Sequence, residues 1–365
     1  MKRYLLYILL VIGATACVKD DVVERSDDFS IRFRVSQNNV MRSIDHTNTS
    51  LNGFSVWATH VDAIPFYMEE AQVEKLANGE WLPTEPYQWP ASGSLDFYAV
   101  AGINADACEG NYLVTFDQTE KTLTIDFIAT KDISKLSDVI YATAMDKTKE
   151  DGTVSLFFRH ALSRVAFQVR NIDNNPANKY TIYGLKLCNV HARTQLTFPT
   201  ATTVADDEKI RCGCFTKTSW RDWQLFSNEQ GVAVPNDGVA VSLNNEPGKY
   251  LYHPIMRNQP VWDPAGDPQN TNHGGYLLLD CSVTCNGVTI WPLDGSVHGE
   301  LAIPIDNNSE YGRSYLYTIV FGQAHGGSAY TVPGENGGES ILEGLCFDVT
   351  MTSVSMDSEN LDLVK

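Results

Sequence analysis

The chain has 365 residues, with 27 Lys and Arg against 45 Asp and Glu, and a formal charge of −18 at pH 7. That balance argues against partners recognised through a basic patch, nucleic acid and anionic membrane surfaces among them. A hydrophobic content of 43% with 20% charged residues excludes a disordered chain, and 8 Cys are too few for a disulfide-stapled scaffold.

The first element reads as an address. Met1-Lys2-Arg3 is basic, and Tyr4 to Gly13 is an apolar run followed by small residues. Such a run is too short for a bilayer core that needs about 20 residues, so residues 1–16 are expected to be a signal peptide. Ala14-Thr15-Ala16-Cys17 resembles a bacterial lipobox, which makes Cys17 the expected lipidation site; simple cleavage after Ala16 is the competing reading. Residues 17–27 form an acidic tether. Removing residues 1–16 takes away Lys2 and Arg3 and no acid, which moves the charge from −18 to −20. The Cys left besides Cys17 are odd in number and cannot all pair within one chain. Cys281 and Cys285 stand ~13 Å apart along one strand, too far for a disulfide or a shared metal. Buried single cysteines are expected, with no metal and no cofactor.

From residue 28 onward the pattern is that of strands. Phe29, Ile31, Phe33 and Val35 alternate with Ser30, Arg32 and Arg34, the mark of one half-buried strand. Gly53 to Ala58, Leu95 to Ala101, Lys121 to Ile128, Val139 to Ala144, Val154 to Phe158 and Val165 to Val169 follow. A second series comprises Tyr180 to Leu187, Val232 to Val234, Tyr250 to His253, Tyr276 to Val283, Val288 to Trp291, Leu301 to Ile305, Tyr315 to Phe321 and Leu345 to Met351. Clusters of Gly, Asn, Asp and Pro separate them. Short helices are expected only at Glu69 to Ala77 and around Lys131 to Ser137. The fold class is all-β, two sandwiches in series. The polar stretch from Arg170 to Asn178 suggests domains at 28–172 and 173–365.

No catalytic motif stands out, so an enzyme is not expected. His160, in Phe157-Phe158-Arg159-His160, reads as structural. Asp263 and Asp267 lack the further ligands of a calcium loop. Trp220, Trp223 and Trp262 lie in turn-rich regions and are candidates either for recognition or for the core.

Several segments together resemble the fimbrillin family, the lipoprotein-derived pilins and fimbrillin-like proteins of certain Gram-negative anaerobes. They are the lipobox and acidic tether, the first strand leading to Met41-Arg42-Ser43, and Tyr87-Gln88-Trp89-Pro90 before Leu95 to Ala99. Asp138 to Ala142, Val154 to Val169, Tyr311 to Phe321 and Cys346 to Thr350 complete the series in family order. Lys186 to Gly248 matches least.

The resemblance implies two transthyretin-like β-sandwich domains in tandem and a fimbrial subunit, or fimbrillin-like lipoprotein, of the outer membrane or fimbrium that serves cell adhesion. It implies assembly by donor-strand exchange. On that implied route a protease would cut between Arg42 and Ser43, with an ordinary loop Arg as the competing reading of Arg42; the strand carrying Phe29, Ile31, Phe33 and Val35 would leave, and a neighbour's strand would refill the groove. The donor would be the strand carrying Leu345, Phe347, Val349 and Met351, although that strand serves equally well within its own domain. Partners would be other fimbrial subunits, a host or bacterial surface ligand, and the membrane through the lipid. The alternative is a surface lipoprotein that binds glycan or protein without polymerising.

Overall fold

The computed structural model describes residues 30–36, 51–61, 63–200, 211–213, 219–243, 251–253, 261–305, 312–322, 329–335, 337–341 and 347–355. Residues 1–29, with Cys17 and Phe29, lie outside that set, as do Arg42, Ser43 and Leu345. The described residues are all-β, with helical turns only at Ile133–Lys135 and Lys149–Asp151.

The first body is built on an eight-stranded sheet ordered Arg159–His160, Ile140–Lys147, Leu95–Ala101, Gly53–His60, Ala63–Lys75, Trp81–Pro83, Arg32–Ser36 and Thr153–Phe157. Its two outermost strands are neighbours in sequence, separated by Phe158 alone, so the sheet curls round on itself and encloses a core. Phe33, Phe54, Phe97, Trp81, Trp89 and Phe158 fill it, several in edge-to-face contact. Alternation places Phe97, Ala99 and Ala101 inside, while Tyr98 and Val100 point to the other face. That outer face is covered by a second sheet, ordered Arg211–Gly213, Arg193–Thr197, Thr122–Ile128 and Leu113–Asp117, whose Leu123, Ile125, Phe127 and Leu196 close a separate apolar layer.

The second body packs two further sheets around the largest core. One is centred on Ser163–Asn171 beside Arg313–Phe321; the other is ordered Trp220–Val234, Asn178–His191, Tyr276–Cys285, Gly299–Pro304, Ala329–Tyr330 and Ser340–Ile341. Ser163–Asn171, on the N-terminal side of residue 172, runs parallel to Arg313–Phe321 from Arg164↔Ser314 to Asn171↔Phe321. Arg193–Thr197, on the other side of it, pairs with Thr122–Ile128. A bidentate contact from Arg193 to Asp126, at 2.9 and 2.7 Å, reinforces that second pairing.

The helix expected at Glu69 to Ala77 is replaced by strand Ala63–Lys75. Met68, Ala71 and Val73 are buried and Gln72 and Glu74 exposed, a two-residue alternation offset by one residue near Glu70, whose φ of 49° marks a bulge opposite Trp57. The offset is what made the stretch resemble a helical period.

Candidate functional site

The first strand, Arg32–Ser36, occupies a slot between two partners. It runs parallel to Thr153–Phe157 from Arg32↔Thr153 to Ser36↔Phe157. On its other side it meets Trp81–Pro83 only at Phe33↔Trp81, while just before it the Ile31 amide donates to the Tyr87 carbonyl at 2.9 Å. Ile31 and Phe33 are buried at 1% and 3% exposure, and Val35 packs half-buried on the same core. Phe33 stands edge-on to Phe54 and Phe97, with ring centroids 5.9 and 5.6 Å away. Burial of Ile31 and Phe33 contributes about 1.5–3 kcal/mol each. Arg34 is exposed, and Arg32 reaches to 3.8 Å from Glu80. Beyond Phe33, beside the turn at Gly79 that joins Ala63–Lys75 to Trp81–Pro83, lies a cleft of about 240 Å³ lined by Arg34, Val35, Gly79, Leu82 and Thr153.

The strand expected from Leu345 to Met351 is Phe347–Ser355. It carries Phe347, Val349 and Met351 and forms the edge of the five-stranded sheet. It is antiparallel to Arg313–Phe321 of its own chain from Arg313↔Ser355 to Phe321↔Phe347. Val349 packs half-buried against the second core. The first and terminal strands therefore lie in different sheets.

The remaining sequence candidates are mostly interior. His160 Nδ1 lies 2.6 Å from Asp138 Oδ2 with both side chains fully buried, a placement that no substrate reaches. Trp223 and Trp262 are core residues, and their indole N–H groups donate to the carbonyls of Thr130 at 3.0 Å and Asp267 at 2.9 Å. Trp220 is half-buried and stacks between His191 at 4.0 Å and His273 at 5.1 Å. Burial holds the His191 imidazole below its ordinary value. Asp263 and Asp267 accept backbone N–H groups within their own loop, from Ala265 and from Thr271 and Asn272. Those bonds, led by Asn272 and Thr271, lower the Asp267 pKa.

Cys108, Cys188 and Cys281 are buried free thiols and Cys285 is a half-buried one. Burial pushes the Cys108 thiol up to about 11, an inert state. Among the described residues no group of His, Cys, Asp and Glu is placed to hold a metal ion. A cleft at the far end of the first body, between His60, Asp96, Phe116 and Lys121, was not legible in the sequence. Its residues are scattered over more than eighty positions and form no motif.

A family model described as fimbrillin-like matches residues 40–263. No curated protein matches the sequence. Among solved structures, the chain is similar to a fimbrial protein from Bacteroides vulgatus, with a TM-score of 0.58, 14% identity, and coverage of 90% of this chain and 99% of that one. It is more distantly similar to the C-terminally truncated tip fimbrial protein Mfa3 from Porphyromonas gingivalis, at 0.37 and 11%, covering 89% and 98%. The first of these defines a shared fold. With more than half of its length matched by the family model, the chain belongs to the fimbrillin-like family.

Proposed function

We propose that this protein is a fimbrial subunit or fimbrillin-like adhesin of the cell surface, exported as a lipoprotein through Cys17 and assembled by strand exchange. Family membership supports the fimbrial and adhesive role. The observation that carries the exchange mechanism is the slot of the first strand. Ile31 and Phe33 plug an aromatic core, and the backbone is paired on both flanks. Withdrawing that segment would expose apolar surface and unpaired backbone groups together, and an incoming strand would restore both. Arg42 lies between this strand and the next, Gly53–His60, so cleavage before Ser43 would free the segment without cutting the remaining sheet.

One observation favours the non-polymerising alternative in a single respect: the terminal strand is paired along its length with its own chain. To serve as donor it must leave that edge. Both readings are tested by treating the purified chain with a trypsin-like protease, sequencing the new N-terminus and viewing the product by electron microscopy. A terminus at Ser43 accompanied by multimers is expected. A resistant chain, or a cut chain that stays monomeric, overturns the exchange mechanism in favour of the alternative.

A further inference from the structure

The first body carries a second cleft, of about 350 Å³, within the size range of small-ligand pockets (roughly 300–1,000 Å³). It lies at the free end of the sheet. Thr59 pairs with Asp96 beside it, whereas the opposite end of the same sheet holds Ala101↔Ile140 and Ile140↔His160, from which the chain passes into the second body. The cleft is therefore at the other end of the sheet from that connection.

Its walls are built rather than incidental. Three left-handed backbone positions converge on it: Gly93 at φ 84°, Lys121 at φ 50° and Asp146 at φ 55°. Positive φ is uncommon for residues other than Gly, and such positions gather at ligand sites. Asp146 is the extra residue of a bulge opposite Asp96, whose Oδ1 accepts the Asp146 amide at 2.8 Å. The turn bearing Lys121 is fixed from below, because the buried Tyr98 hydroxyl donates to the Lys121 carbonyl at 2.9 Å. His60 is held by the Ser92 carbonyl at 2.9 Å, with its ring against Gly93, where a Cβ would come within 2.7 Å of Nε2.

The lining fits one ligand chemistry. Asp96 and Asp146 supply acceptors, Lys121 donors, and Gln118 both, which is what hydroxyl groups that donate and accept require. Phe116, half-buried against Phe66 and Tyr98, offers part of an aromatic ring for an apolar C–H face. Two carboxylates against one ammonium disfavour a ligand that is itself an anion. We infer that this cleft is a binding site for a short neutral saccharide. The site is distinct from the first-strand slot and needs neither cleavage nor polymerisation.

The test uses the intact, uncut chain on an array of neutral mono- and disaccharides, with sialylated and uronate-bearing glycans as the acidic set, followed by titration with the retained free sugar. Gln118→Ala and Lys121→Gly change exposed turn residues, and glycine keeps the left-handed backbone at 121, so both variants are expected to melt with the parent chain. The expected result is retention of at least one neutral saccharide, weakened at least tenfold by each variant and unchanged by Lys186→Ala in the second body. Absence of neutral retention at millimolar saccharide overturns the assignment. So does retention confined to acidic glycans, or retention unchanged in both cleft variants. Because the chain stays uncut, failure here leaves the strand-exchange reading standing, and the reverse holds as well.

Discussion

Asp138 Oδ2 and His160 Nδ1 lie 2.6 Å apart with both side chains wholly shielded from solvent, a close contact that is not aligned as a hydrogen bond, and Asp138 Oδ1 likewise has no hydrogen-bond partner among the described residues. The contact stands where the first body hands the chain to the second, beside the pair His160↔Ile140. Removing one partner leaves a buried polar group uncompensated. His160→Leu is expected to cost about 3–5 kcal/mol in urea unfolding, and the double variant Asp138→Leu/His160→Phe less than either single change. Single variants that lose under about 1 kcal/mol would show that the contact is incidental.

Phe33 anchors the first strand in the aromatic core. Phe33→Ala is expected to lose about 3–5 kcal/mol, because the neighbouring rings of Phe54 and Phe97 cannot collapse into the space it vacates. Arg34→Ala, at an exposed position of the same strand, is expected to change stability by no more than about 0.5 kcal/mol. Thermal denaturation of the two variants side by side checks the contrast. Equal effects would mean that the strand contributes little through its buried face.

Gly102 has φ 88°, and a Cβ there would fall 1.9 Å from the Asp138 carbonyl oxygen, whereas Gly152 has φ 67° with nothing within 4 Å. Both positions strain any L side chain, but only Gly102 adds a backbone collision. Gly102→Ala is expected to destabilise by several times the roughly 1 kcal/mol expected of Gly152→Ala. Similar melting temperatures for the two variants would contradict the close approach.

Asp173 closes the turn after Ser163–Asn171. Its carboxylate accepts the Asn178 side-chain amide and the Tyr180 hydroxyl, each at 2.7 Å, and the Asn175 backbone amide at 2.8 Å. Burial works to raise its pKa, but the bonds from Asn178, Asn175 and Tyr180 together bring it below the ordinary 3.8. With the folded value below the unfolded one, its contribution is complete above about pH 4 and is lost as pH falls through the depressed folded value. Asp173→Asn is expected to cost about 1 kcal/mol at pH 7, allowing for solvent screening, and to flatten the stability profile below pH 4. An unaltered acid slope would argue against this role.

The strand framework was largely legible because alternation is a local signal. Leu95–Ala101 and Val288–Trp291 were delimited from pattern alone, and Ser163–Asn171, Tyr276–Cys285 and Arg313–Phe321 to within a few residues. Short or weakly apolar strands were missed, and of the long strand Trp220–Val234 only Val232 to Val234 was read as strand. Trp81–Pro83 has three residues, and Leu113–Asp117 exposes alternate positions at a sheet edge. The aromatic candidates were divided by burial, which sequence does not carry: Trp223 and Trp262 joined cores, and Trp220 stacked between two histidines.

Local alternation was enough to specify an all-β chain, the inward face of the first strand at Ile31, Phe33 and Val35, and the kinship that its ordered segments suggested. Which strands are neighbours was settled by the packed fold. Ser163–Asn171 found its partner in Arg313–Phe321 about 150 residues downstream, a register of separations from Arg164↔Ser314 onward that no local period encodes. The packed fold also settled that Phe347–Ser355 lies along its own sheet, and that Asp96, Lys121 and Asp146 share one cleft. The reason is physical. A strand's alternation specifies which face is buried, but its edge hydrogen bonds accept any backbone, so partner and register come from the packing of the whole core.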